Sequence, residues 1–189
     1  MRIFILLGHP DAASFNGRIA DAYEAAAREA GHEVRRQDVG ALAFDPILRR
    51  GHRDPPPIEP DVAAAQQALM WCERFVLVYP MWWGGMPALL KGWIDRVLMP
   101  GFAFRYHDAD PWWDRHLAGR TAHIISTCDC PALYARWRYR DCDFTGLRHA
   151  ILGFCGMRTT RTKRIGRVKF LDATARERAL AAVAKMARR

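Results

Sequence analysis

The sequence predicts a doubly wound α/β domain, a parallel sheet covered by helices on both faces. Three observations carry this reading. Five short strand-like segments alternate with longer helical patterns, the order that builds a parallel sheet through right-handed crossovers. Three of the five (Arg2–Leu7, 74–79 and 122–127) are nearly continuous apolar runs, as expected of strands buried on both faces. At 189 residues, half of them apolar, the chain has the length of one domain, 1–189. A domain of that length can bury roughly 70% of its unfolded surface and folds without staples.

Each element has its own local reason. Arg2–Leu7 (RIFILL) is the first buried strand. Residues 15–30 carry alanines and acidic–basic pairs at helical spacing, and Gly31 supplies a C-terminal stop. Glu33–Asp38 (EVRRQD) interleaves arginines, which places it at a sheet edge. Residues 45–57, with three consecutive prolines from Pro55, read as a loop or extended segment. Pro60–Trp71 and 87–97 are helices with proline near the first turn, flanking the strand 74–79. Residues 100–117 are irregular but rich in aromatics. The strand 122–127, a helix over 146–154, a strand over 158–164 and a helix over 172–188 complete the set, the last with Asp172 as N-cap.

Composition removes several function classes. No apolar run approaches the roughly 18 residues needed to span a bilayer. Residues 3–7 are too short for a signal-peptide core, so a cytoplasmic location is expected and no membrane insertion. Five cysteines, an odd number, include the pair Cys128-Asp129-Cys130 but no second pair to complete a zinc site. Reduced thiols and no bound metal are the expectation. The 29 basic residues outnumber 20 acidic ones, giving +9, and only four of them are lysines. An arginine excess suits phosphate or carboxylate partners. The basic residues are scattered, and no groove-reading or stacking module points to nucleic acid.

In open parallel sheets, ligands sit at the carboxyl ends of the strands. The loop after the first strand runs from Gly8 to Gly17 and leads into a helix start, where free N–H groups favour an anion. His9, Ser14 and Asn16 can donate to phosphate there, although Ser14 serves equally well as a helix cap. The loop after the third strand reads Pro80-Met81-Trp82-Trp83-Gly84-Gly85-Met86-Pro87. Its tryptophans offer flat apolar walls and its glycines allow close backbone approach, which suits a planar heteroaromatic. Packing in a core or dimer interface is the alternative. After the fourth strand come Thr127, Cys128 and Asp129, then Tyr134, Arg138 and Arg140. A phenol and a guanidinium here can donate a hydrogen bond and stabilise developing negative charge.

These motifs resemble a known family. Gly8-His9-Pro10 with Ser14-Phe15-Asn16, and above all the stretch 80–97 (P-x-W-W-G-G-x-P-A-x-L-K-G-W-x-D-R-V), are similar to the NAD(P)H:quinone oxidoreductases of DT-diaphorase type and their short bacterial relatives. Phe44-Asp45-Pro46-Ile47, the segment 101–106 and Phe154-Cys155-Gly156 add supporting matches, so the likeness runs from Met1 to about Lys163. The resemblance implies a flavodoxin-like sheet of order 2-1-3-4-5, a bound flavin (FAD or FMN), and NAD(P)H as electron donor. It implies a quinone-like acceptor reduced in ping-pong fashion by a homodimer. His9, Ser14, Phe15 and Asn16 would hold the phosphate end, and Pro80, Met81, Trp82, Trp83 and Gly84 would line the ring, with Trp83 also meeting substrate. Thr127, Cys128 and Asp129 would give backbone contacts on its far side. Phe104 and Tyr106 would roof the substrate pocket of a partner subunit, and Tyr134 would assist hydride transfer.

Two departures from the family pattern stand out. Larger members carry Gly-Gly where this chain has Cys128-Asp129, so the backbone approach there differs, and because a carboxylate close to an anionic reduced flavin is unfavourable, Asp129 is expected to point away or cap a turn. Their catalytic histidine falls on Arg140, which can stabilise charge but cannot relay a proton. Other readings differ in class. Some short relatives act as ancillary subunits of potassium efflux systems, and single-electron carriers of the flavodoxin type are generally acidic, unlike this chain.

Overall fold

The computed structural model describes residues 1–188. β1 (Arg2–Leu7) takes the buried place that its apolar run predicts, with Ile3 to Leu7 fully excluded from solvent. α1 (Phe15–Glu29) follows, capped by Ser14, whose side chain accepts from Gly17 N. β2 (Glu33–Asp38) lies at the edge. Its Arg36 reaches Asp38 and Asp21, each at 2.6 Å, and Glu24 at 3.1 Å, so the guanidinium is shared among three carboxylates. α2 (Pro60–Trp71), β3 (Arg74–Pro80) and α3 (Ala88–Val97) come next, and β3 is buried along its whole length.

The segment 100–117 is not wholly irregular. It contains a small antiparallel hairpin, β4 (Phe104–Tyr106) with β5 (Trp113–Arg115). β6 (Thr121–Thr127) leads to two short helices, α4 (Ala132–Trp137) and α5 (Cys142–Thr145). The helix expected over 146–154 is a π-helical turn, Gly146–Leu152, closed by a bond from Gly153 N to Arg148 O at 3.1 Å. A Cβ on Gly153 would stand 2.6 Å from that same carbonyl, so the wide turn needs glycine where it closes. β7 (Arg158–Ile165) and α6 (Ala173–Ala187) complete the chain, and Asp172 caps α6 through Ala175 N at 2.6 Å.

The sheet is parallel throughout, in the order β2-β1-β3-β6-β7. Counting sheet strands alone, this is 2-1-3-4-5. The chain reverses direction across the sheet between β1 and β3, which places the switch point beside their carboxyl ends. Alternate side chains divide the core into two layers. Phe4, Leu6, Leu77 and Tyr79 face α2 and α3 together with Trp93, whose ring stacks on Phe75 at 6.2 Å. Ile3, Ile5, Val76, Val78 and Ile125 face α1 and α6 on the other side.

One buried polar pair sits within the second layer. His123 of β6 is 1% exposed, and its Nδ1 shares a hydrogen bond with the Tyr23 hydroxyl at 2.7 Å. Burial, aided by the charges of Arg74 and Arg161, pushes the imidazole down from 6.5 to about 3. The folded protein therefore keeps His123 neutral at pH values where the unfolded chain protonates it. The unfolded state then binds more protons, and stability falls as pH drops from 6.5 towards 3, by up to about 1.4 kcal/mol per pH unit. His123→Gln removes this term, and urea midpoints measured across that range will fall less steeply for the variant than for the wild type. Parallel slopes would show that His123 has no part in acid unfolding.

Candidate functional site

The loops that follow β1, β3 and β6 meet at one edge of the sheet, as the parallel arrangement requires. In the first loop, His9 Nδ1 accepts from Asp11 N at 2.9 Å. A neutral His9 ring therefore carries its proton on Nε2. Its ring meets Trp82 edge-on at 5.7 Å. Ser14 caps α1 with its hydroxyl, the bland role the sequence also allowed. Asn16 is 5% exposed, and its amide pairs with the Thr127 hydroxyl, 3.0 Å from Nδ2 and 3.2 Å from Oδ1. That contact ties the start of α1 to the end of β6.

The second loop is a tight turn. Trp82 and Gly85 exchange backbone hydrogen bonds at 3.1 and 2.9 Å, with Trp83 (φ 52) and Gly84 (φ 76) between them. Two successive positive φ values are the signature of a mirror-image hairpin turn. Glycine meets this demand freely at 84, whereas tryptophan at 83 is strained and fully exposed. Met81 N donates to Thr127 O at 2.7 Å, fastening this loop to the third. In the third loop Asp129 turns outward, and its Oδ1 accepts from Lys169 N at 3.0 Å. It caps a turn, as electrostatics led us to expect.

The three loops enclose two adjoining cavities. The smaller, about 210 Å³, is lined by His9, Ser14, Phe15, Asn16, Pro80, Met81, Trp82, Thr127, Cys128, Asp129 and Val168. The larger, about 750 Å³, is lined by Met81, Trp82, Trp83, Gly84, Cys128, Asp129, Cys130, Tyr139 and Cys142. All twelve residues that the sequence assigned to cofactor binding line one cavity or the other. The remaining assignments lie apart. Tyr134 is on α4, half exposed, and packs edge-on against Tyr139 at 5.2 Å, so it is Tyr139 that faces the cleft. Arg140 is exposed in a left-handed conformation at the rim. Phe104 is buried within its own chain against Phe154 at 4.8 Å, while Tyr106 beside it is 59% exposed. Among the described residues, no cluster of three or more His, Cys, Asp or Glu side chains could hold a metal, and no helix is long and apolar enough to cross a membrane.

A buried ionic network beneath the cleft escaped the sequence reading. Arg164, at the end of β7, grips Asp143 of α5 through two nitrogens at 2.5 and 3.1 Å and reaches Asp141 at 3.1 Å. Tyr79 of β3 donates to Asp143 at 2.7 Å, and Ser126 of β6 does so at 3.3 Å. Burial, then the Asp143 charge, raises the Tyr79 pKa well above its usual value, so it stays a donor. Burial alone would lower the Arg164 pKa, but Asp143 raises it. Arg164 also lies 3.4 Å from the Met81 sulfur in the cleft wall and 4.2 Å over the Phe144 ring.

Arg164→Met strips a fully buried carboxylate of its main partner, and such losses typically cost about 3–5 kcal/mol. Urea unfolding will show a loss of that size, and adding Asp143→Asn to the same chain will recover part of it. A single variant as stable as the wild type would mean the pair is not a keystone.

Comparison with known proteins fits this geometry. The chain matches the family described as "Flavodoxin-like fold" over residues 1–189. It is 28% identical over 181 residues to NAD(P)H dehydrogenase [quinone] 1 of Rattus norvegicus, covering 82% of this chain and 65% of that protein. It is 33% identical over 114 residues to an uncharacterized NAD(P)H oxidoreductase of Haemophilus influenzae, covering 58% and 56%. The chain thus spans about half to two thirds of the length of the curated relatives it matches. Among solved structures, Smu.1420 of Streptococcus mutans superposes with a TM-score of 0.84 at 28% identity, covering 100% of this chain and 99% of the other. The strand order, the switch-point cleft and the match along the whole sequence agree: the chain belongs to the flavodoxin-like fold family.

Proposed function

We propose that this protein is a flavin-dependent NAD(P)H oxidoreductase that reduces quinone-like acceptors by ping-pong hydride transfer. The observation that carries this reading is the convergence of three strand-end loops on one continuous concave surface. One end of that surface is a helix start, and the other is walled by aromatic rings. A flat ring system with a phosphate tail has this shape and this division of polarity. At the narrow end, the N-terminus of α1 with His9, Ser14, Phe15 and Asn16 favours the phosphate or pyrophosphate. At the wide end, Pro80 to Gly84 line one side of a planar ring, and the backbone of Thr127, Cys128 and Asp129 lines the other. The flavin, FAD or FMN, supplies the hydride chemistry when bound, while the protein positions it and tunes its charge.

The chain's own residues have separable roles in this scheme. Tyr134, behind the cleft-lining Tyr139 and in edge-on contact with it, is the hydrogen-bond donor that assists hydride transfer once the flavin is bound. Arg140 adds positive charge nearby without relaying a proton. Trp83 offers its exposed face to substrate. The hairpin β4–β5 presents Tyr106, braced by Phe104, towards the substrate pocket of a second copy, which makes the working unit a homodimer. The +9 charge draws the anionic nicotinamide dinucleotide towards the surface. We place the protein in the cytoplasm, where the resting state of its thiols is reduced.

Purified protein is expected to be yellow, to release FAD or FMN identifiable by chromatography, and to oxidise NAD(P)H with a quinone in the absence of any partner. Turnover only in the presence of a partner would favour an ancillary subunit. Colourless protein that takes up neither flavin would overturn the reading. Tyr134→Phe should slow NAD(P)H-driven bleaching in stopped flow by about tenfold or more while leaving flavin affinity unchanged. Equal rates would remove Tyr134 from the mechanism.

A further inference from the structure

The loop after β6, whose backbone serves the flavin reading, carries two thiols in the wall of the larger cleft that this reading does not use. Cys128 and Cys130 stand two residues apart on the loop after β6, and their sulfurs are 3.2 Å from one another. Cys130 donates to the Cys128 sulfur, and Cys128 in turn donates to Cys130 O at 3.1 Å. Cys128 is 6% exposed, Cys130 is partly exposed, and both line the larger cleft. A covalent disulfide has its sulfurs about 2.05 Å apart, so closure needs an approach of roughly 1 Å. The loop is held on both flanks while this happens. Val168 N donates to Cys128 O at 3.2 Å, Arg167 N to Cys130 O at 3.1 Å, and Lys169 N to Asp129. The backbone that carries the pair is therefore fixed, and only side-chain rotation separates the two sulfurs.

We propose that Cys128 and Cys130 form a hydroperoxide-sensitive dithiol site, closing to an intraloop disulfide in the wall of the cleft. The two thiols have separate parts. Cys130, the more accessible, gives up its thiol proton and its sulfur attacks the terminal peroxide oxygen, the O–O bond breaks, and the alcohol or water leaves carrying that proton. The resulting Cys130 sulfenic acid is attacked by the Cys128 sulfur, the S–O bond breaks, and the departing hydroxide takes the Cys128 proton as water. In sum, two thiols and one hydroperoxide give one disulfide, one alcohol or water, and one further water. Cys128 is the more buried of the two, and burial raises its thiol pKa, which suits the partner that resolves and not the one that attacks first. This site does not depend on which cofactor occupies the cleft.

The sequence makes the test clean. Trypsin cuts after Arg120 and Arg136, leaving both thiols in one peptide, 121–136, and after Arg140 and Arg148, leaving Cys142 in another, 141–148. After brief treatment of the folded protein with hydrogen peroxide, peptide 121–136 is expected to be two hydrogens lighter and to resist alkylation. Dithiothreitol should restore it. In Cys128→Ser, Cys130 should stop at the sulfenic acid and be captured by dimedone. Any of three results overturns the proposal. Peptide 121–136 could stay fully alkylatable under peroxide that oxidises free glutathione, gain two or three oxygens, or cross-link to 141–148.

Discussion

A carboxylate and a guanidinium, both withdrawn from water, hold the working edge of this protein together. Neither charge would be tolerated alone at that depth. Asp143 is fully buried and Arg164 nearly so, and the two meet at 2.5 Å. Their position matters more than their strength. Tyr79, Ser126 and Arg164 come from the carboxyl ends of β3, β6 and β7, and Asp143 joins all three. These are the strand ends from which the cleft loops depart, where backbone pairing within the sheet stops. A polar clamp at that point fixes the spacing of the strand ends and draws the segment 141–144 beneath the cleft. The same guanidinium touches Met81, so the clamp reaches the cavity wall.

The charge balance reads differently once such contacts are counted. An arginine excess suggests partners outside the chain, and several arginines instead work within it. Arg96, 3% exposed, donates to Asp45 O, Pro57 O and Glu59, pinning the proline-rich segment to α3. Arg120 donates to Leu69 O and Met70 O at 2.7 Å each, satisfying carbonyls at the end of α2 that the helix itself cannot. The planar fork of donors suits such multiple contacts in a way that lysine does not. The cationic field left for partners outside the chain therefore comes from the rest of the basic residues.

Much of the fold was legible because a parallel sheet imposes a strong pattern. β1, β3 and β6 are buried on both faces, so their apolar runs could be read directly, and the arginines of β2 marked an edge. The loops that follow these strands were legible for the same reason, since topology alone sends them to one side. What resisted reading was short or defined only in three dimensions. The strands β4 and β5 have three residues each, too few to show alternation. The π-turn hides inside a helical pattern, because one extra residue in a hydrogen-bonded loop leaves no compositional mark apart from Gly153. The Arg164–Asp143 pair spans two elements, and nothing local distinguishes a buried acid in Cys142–Thr145 from a solvated one.

The turn at Trp82–Gly85 shows how a local cost bears on function. If the turn served only to reverse the chain, asparagine or glycine would suit the left-handed position at 83. Tryptophan there carries a conformational penalty on the order of 1 kcal/mol or more. Trp82 offsets its own placement by packing on His9. Trp83 has no such compensation within the chain, because its side chain is fully exposed above a cleft of about 750 Å³. A large ring held out at a strained position is stabilised only by what comes to lie against it. In the proposed function that is a flat ring, the flavin or the substrate stacked on it, and the conformational cost is then offset by the binding event and not by folding.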